Sequence, residues 1–136
     1  MAILSSSGKS FLTIILLSIV LGWSCNNNSC KKAICTSILN MIIIEVVNHE
    51  GSPVTLDEYY TVRNNTGEKI IPANKLGDGY YNILDDTYHK SLINSTENFT
   101  FIGIIDEKIV ISESFIISAD CCHIKKEKGT DKVVLQ

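Results

Sequence analysis

From residue 38 onward, apolar positions come in short runs of strand length separated by turn chemistry. Residues 41–47, Met-Ile-Ile-Ile-Glu-Val-Val, are dense in β-branched side chains and too short for a buried helix, which predicts a central strand. His49, Glu50, Gly51, Ser52 and Pro53 then supply a turn, with Gly51 free to take positive φ. Further extended pieces are expected over 54–56 and 59–63, closed by Asn64, Asn65, Thr66 and Gly67. A short strand over 69–71 stops at Pro72, and Leu76, Gly77, Asp78 and Gly79 form a loop leading into a strand over 80–84 that Asp85 and Asp86 end. Residues 88–95 carry no decisive period and read as loop or a short helical turn. The pattern resumes over 99–105, turns tightly at Asp106 and Glu107, and continues over 109–117. There Ile109, Ile111, Phe115 and Ile117 share one parity with Glu113 as the intruder, while Ser112, Ser114 and Ser118 share the other. A last hairpin is expected from 122–126, through Lys128, Gly129 and Thr130, back along 133–135. About seven short strands spaced by turns predict an all-β sandwich over 38–136.

The N-terminal end follows another rule. Lys9 is followed by an apolar run over residues 11–21, interrupted only by Thr13 and Ser18. A spanning helix needs about 20 apolar residues, so this run suits the core of an export signal better than a membrane span or a buried helix of the fold. Leu21-Gly22-Trp23-Ser24-Cys25 and the polar Asn26, Asn27, Asn28 and Ser29 come next. This stretch resembles a bacterial lipobox. The resemblance implies a lipoprotein signal peptide over 1–24, a helical signal removed before Cys25, and a lipid on that cysteine. Ordinary cleavage near the same place is the alternative. Residues 25–37 would then be an Asn, Ser and Cys-containing tether. The expected location is the cell envelope, periplasmic or surface-exposed at the outer membrane, with the membrane as a partner through the lipid.

The chain has five cysteines, Cys25, Cys30, Cys35, Cys121 and Cys122. Giving Cys25 to lipid leaves an even four, as an oxidising compartment favours. Adjacent cysteines such as Cys121 and Cys122 seldom bond each other, because a disulfide needs suitably spaced and directed Cβ atoms. Each is expected to reach Cys30 or Cys35, which leaves two connectivities open. The rival is a metal site of Cys30, Cys35, Cys121, Cys122 and His123, a thiolate and imidazole set suited to zinc. Ligands adjacent in a strand point to opposite faces, and export favours oxidation, so disulfides are expected and no cofactor. The same opposition of neighbours argues against Cys122 and His123 acting as thiol nucleophile and base.

Val47-Asn48-His49-Glu50-Gly51-Ser52-Pro53-Val54, and later Gly79-Tyr80, resemble the opening strand and turn of carboxypeptidase regulatory-like domains. With Asp120-Cys121-Cys122-His123-Ile124 near its end, the chain also resembles small lipoproteins of the Bacteroidota type. The resemblance implies a transthyretin-like or Ig-like sandwich and a non-catalytic accessory module, with no substrate. The cysteine pair and final hairpin depart from the general regulatory-domain pattern.

A chain of 136 residues with net charge −3 fits one ordinary domain. Its densest positive cluster, Lys125, Lys126 and Lys128, is broken by Glu127 and reads as a solvated hairpin end, so nucleic acid is not expected as a partner. Asp57 with Glu58, and Asp85 with Asp86, have the residue types of acid and base pairs or calcium ligands, yet they and Asp78 sit where turns are expected. Tyr59, Tyr60, Tyr80, Tyr81 and Tyr88 are core tyrosines first, and an aromatic surface for a glycan or peptide second. Asn27, Asn64, Asn94 and Asn98 each open an Asn-X-Ser/Thr sequence, read as composition beside a bacterial signal. The expectation is thus an exported, non-catalytic binding or structural module whose partner is an envelope protein or glycan. The alternative is a secreted Cys/His metal-binding or thiol-active protein.

Overall fold

The computed structural model describes residues 30–73 and 76–136; the expected signal segment 1–24 and Cys25 lie outside the described residues. Residues from Lys32 to Gln136 form one compact unit. It is an all-β sandwich of eight strands: β1 Met41–Asn48, β2 Glu58–Arg63, β3 Glu68–Ile70, β4 Tyr80–Asp85, β5 Thr96–Ile105, β6 Lys108–Ala119, β7 Ile124–Lys128 and β8 Lys132–Leu135. They make a three-stranded sheet in the order β4-β1-β8 and a five-stranded sheet in the order β3-β2-β5-β6-β7.

β1 is central, as its β-branched run predicts. Ile42, Ile44, Val46 and Val47 are buried, with β4 antiparallel on one side and β8 parallel on the other. Between the sheets, Phe99, Phe101 and Phe115 of the larger one meet Ile44, Ile83 and Leu84 of the smaller, all fully buried. The two long strands β5 and β6 join through Asp106 and Glu107, both at positive φ (49° and 61°). That backbone matches the twist of a two-residue hairpin, and the Asp106 amide donates to Asp57 Oδ2 at 2.8 Å to hold it.

Three expectations need correction, and one open stretch is decided. Residues 54–56 form no strand beyond one bridge between Val47 and Pro53. The Val54 amide still donates to the Val46 carbonyl (3.0 Å), but a buried tyrosine takes the next two groups: Tyr81 Oη donates to the Val54 carbonyl (2.7 Å) and accepts from the Leu56 amide (2.8 Å). The undecided stretch is a 3₁₀ turn, Asp86–Tyr88, continued by a single helical turn, α1 His89–Leu92, whose Leu92 enters the core. In β6 the alternation holds from Ile111 to Ile117 but fails at Ile109, which is 61% exposed. A bulge between Gly103 and Ile104 sets Gly103 opposite Ile111 and Ile104 opposite Ile109, and the extra residue flips the parity beyond it.

The largest departure concerns the end of the chain, because β7 and β8 are not a hairpin. β7 pairs with β6 in the larger sheet, whereas β8 crosses to the smaller sheet and pairs with β1. Gly129, at φ 134°, makes the crossing over the ring of Phe115, where an added Cβ would lie 2.2 Å from a ring carbon. Lys126 pairs with Asp131 across the step, and the Glu45 amide donates to the Asp131 carbonyl at 2.8 Å.

Candidate functional site

The chemistry-bearing residues gather at the pole where β1 enters, β4 leaves and β7 begins. Asp85 and Asp86 end β4 as their turn preference predicts. Asp85 Oδ1 accepts from the Thr87 amide (3.0 Å) and hydroxyl (2.6 Å), which starts the 3₁₀ turn. The carboxylate of Asp86 then stands among three donors. Its Oδ2 takes the Asn40 amide at 2.7 Å and meets His123 Nδ1 at 2.7 Å, and its Oδ1 takes the Ile124 amide at 2.8 Å. Burial alone would raise the pKa of Asp86, but the Asn40 amide, His123 and the Ile124 amide together outweigh it and hold the carboxyl below its ordinary value.

Asp120 shapes the Cys-Cys-His run in the same way. Its Oδ1 accepts the amides of Cys122 (2.7 Å) and His123 (2.8 Å), and these bonds hold its pKa down as well. Against this run lies the segment before β1. Cys35 and Cys122 form a disulfide, with Cα atoms 5.2 Å apart. Cys30 and Cys121 are disulfide-bonded too. Thr36 Oγ1 lies 3.0 Å from His123 Nε2, and Asn40 Nδ2 donates to the Ile124 carbonyl at 2.7 Å. A groove of about 390 Å³ runs between the two, lined by residues that include Cys35, Ile38, Leu39, Asp86 and His123. The expected tether over 25–37 is therefore fastened to the sandwich at Cys35 and Thr36.

Thr36, His123 and Asp86 fall in the order hydroxyl, imidazole, carboxylate at hydrogen-bonding distances. Acyl transfer would also need free N–H donors beside the hydroxyl. The amides of Cys122 and His123 are given to Asp120, and those of Asn40 and Ile124 to Asp86. What the arrangement does is join three elements: β1, β4 and β7 all hang on one carboxylate. In the disulfide form Cys30, Cys35, Cys121 and Cys122 offer no thiolate to a metal, and both ring nitrogens of His123 have protein partners. Among the described residues no group of three or more His, Cys, Asp or Glu side chains is placed to hold an ion.

No family model, curated protein or solved structure matches this chain. Residues 47–54 and 79–80 meet in space. Asn48 Oδ1 accepts the amides of Glu50 (3.0 Å) and Ser52 (2.9 Å), Gly51 sits at φ 81°, and Gly79 packs so tightly on Pro53 that an added Cβ would come within 2.9 Å.

The other candidates disperse. Asp57 braces the β5–β6 turn and Glu58 is exposed at the start of β2. Tyr81 stacks edge-on to Tyr59 at 4.9 Å and both approach Phe101, which makes them core rings. Tyr60 lies under Lys69 Nζ at 3.9 Å, Tyr88 is half-buried, and Tyr80 alone of the five is exposed. Tyr80 lines a cavity of about 180 Å³ with Thr55, Tyr59 and Asp78, small for an organic ligand. Asn64, Asn94 and Asn98 are exposed, and Asn27 lies outside the described residues. Sequence reasoning missed Thr36 as a partner of His123 and gave Asp86 only a turn role. The partners lie 87 and 37 positions from His123, and no local signal links them.

Proposed function

We propose that this chain is an exported cell-envelope protein, held at a membrane by a lipid on Cys25. On this reading its stapled sandwich is a non-catalytic binding or structural module of the carboxypeptidase regulatory-like kind. One observation carries it: every cysteine among the described residues is disulfide-bonded, which leaves Cys25 as the odd one. Structural disulfides persist in oxidising compartments, and an unpaired cysteine after an apolar run is the one an acyl transfer would use. The loops then meet an envelope protein or a glycan, on the periplasmic side or the cell surface.

Intact mass of the protein isolated from its host, before and after reduction, tests the reading in one measurement. The expected result is a chain beginning at Cys25, heavier by its acyl groups, that gains four hydrogens on reduction of two disulfides. An unprocessed chain with reduced sulfurs would overturn it, and four thiols released together with zinc would put a Cys/His metal protein in its place.

A further inference from the structure

We infer that residues 31–39 form a second membrane contact, with Ile34, Ile38 and Leu39 resting on a bilayer rich in anionic phospholipid and Lys31 and Lys32 meeting its phosphates. The inference rests on the anchored reading above and adds the surface by which the sandwich stands on the membrane. Ile34 is 98% exposed, Ile38 74% and Leu39 47%, three large aliphatic side chains within six residues. Single exposed apolar residues are ordinary, but a cluster of them marks a contact surface.

This cluster is not on a loose strand of chain. The Cys35–Cys122 disulfide fixes it on one side of Ile38, and the Asn40 amide on Asp86 fixes it on the other. A segment pinned twice, with its aliphatic groups left in water, gains nothing for the fold from those groups. Their burial must come from outside the sandwich, and the pinning means that whatever buries them also orients the domain.

The chain itself says which surface that is. Ile34 lies nine positions after Cys25 (34 − 25), a stretch that reaches at most about 30 Å when fully extended. A lipid on Cys25 therefore keeps this cluster within reach of the bilayer at all times. The two residues leading into it are Lys31 and Lys32, both exposed. Basic residues beside exposed aliphatics are the composition of segments that lie in the interface, and each lysine near an anionic surface strengthens binding about fivefold. Several acyl chains on Cys25 hold the protein at the membrane but leave the sandwich free to turn on its tether, so a second contact fixes its orientation.

The test uses the processed protein isolated from its host, beginning at Cys25 and carrying Ile38→Trp as its one tryptophan, reconstituted in vesicles of phosphatidylcholine and phosphatidylglycerol with brominated acyl chains. Ile38 is exposed, so the indole reporter placed there leaves the core intact, and unreduced intact mass checks the disulfides. Bromine is expected to lower the emission of this indole about twofold or more, while the control Val134→Trp, exposed on β8, is unaffected. Adding Lys31→Glu and Lys32→Glu is expected to return the emission at position 38 toward the control level.

If the protein floats with the vesicles but the indole at position 38 is quenched no more than the control indole at position 134, the inference fails and the anchored reading stands. If the protein does not float, the anchored reading fails and takes the inference with it. A blue shift of the position-38 indole that ignores bromine but grows with protein concentration assigns the patch to a second copy and overturns the proposal.

Discussion

In the five-stranded sheet three of the four neighbouring pairs, β2-β3, β5-β6 and β6-β7, are consecutive in the chain, and the longest pair closes through Asp106 and Glu107. In the three-stranded sheet no neighbours are consecutive: β1 finds β4 across the intervening β2 and β3, and finds β8 at the far end of the described chain. The polar and covalent ties are distributed accordingly. The larger sheet carries side-chain ties such as Ser118 Oγ to Glu127 Oε1, at 2.7 Å between β6 and β7, that strengthen pairs already formed, while its one long-range pair, β2-β5, has its own tie in Arg63 to Glu97 at 2.7 Å. At the pole of the smaller sheet, Asp86 and the Cys35–Cys122 disulfide hold together segments that the chain does not bring together itself. Loop-closure entropy is the reason. Local pairs close cheaply, and distant ones gain most from a cross-link.

The largest effect should come from removing the cross-link. Replacing Cys35 and Cys122 together by serine frees a closure of 87 positions and should cost about 4.5 kcal/mol in denaturant unfolding. Native-state hydrogen exchange should then show β1 and β8 amides opening before those of β5 and β6. Equal loss of protection in both sheets would break the contrast between them.

Next is Asp86→Asn. The variant keeps the shape but gives up the charge that accepts two amides and His123, and should lose about 2–3 kcal/mol. The pH dependence has a definite sign. The folded-state pKa of Asp86 is depressed, so its stabilisation is present above its ordinary value of 3.8 and is lost as pH falls below that through the folded value. Acid titration of stability should thus be shallower in the asparagine variant; an unchanged slope would remove Asp86 from its assigned role.

Gly129→Ala probes the crossing between the sheets. The added methyl meets the buried ring of Phe115, and a loss of about 2 kcal/mol in thermal or chemical unfolding is expected. The smallest effect has the opposite sign and lies in the local half. Glu107→Gly relieves a positive φ in the β5–β6 turn and should stabilise by about 0.5–1 kcal/mol.

Much of the strand content is legible in the residues. β-Branched runs, the turn residues after them and the parity of Ile111, Phe115 and Ile117 are local signals, so β1, β2, β4 and β5 fall where they are expected. The misses share one cause. The 54–56 segment lost its strand to a tyrosine hydroxyl 25 positions from Leu56, Ile109 lost its parity to a bulge at Val110 in the pairing of its strand with β5, and β8 left β7 for β1. At the site, the oxidised cysteines were readable from their count and their adjacency, while the choice of Cys35 for Cys122 and the meeting of Thr36, Asp86 and His123 were not.

The residues alone therefore determined that this chain makes short strands, where most of them turn, and that the four cysteines after Cys25 are spent in pairs, because period, turn chemistry and thiol parity act within a few neighbours. Tertiary structure decided which strands share a sheet and which carboxylate ties β1, β4 and β7 at one pole. Those choices depend on apolar faces and hydrogen-bond donors that come together only after distant parts of the chain have packed.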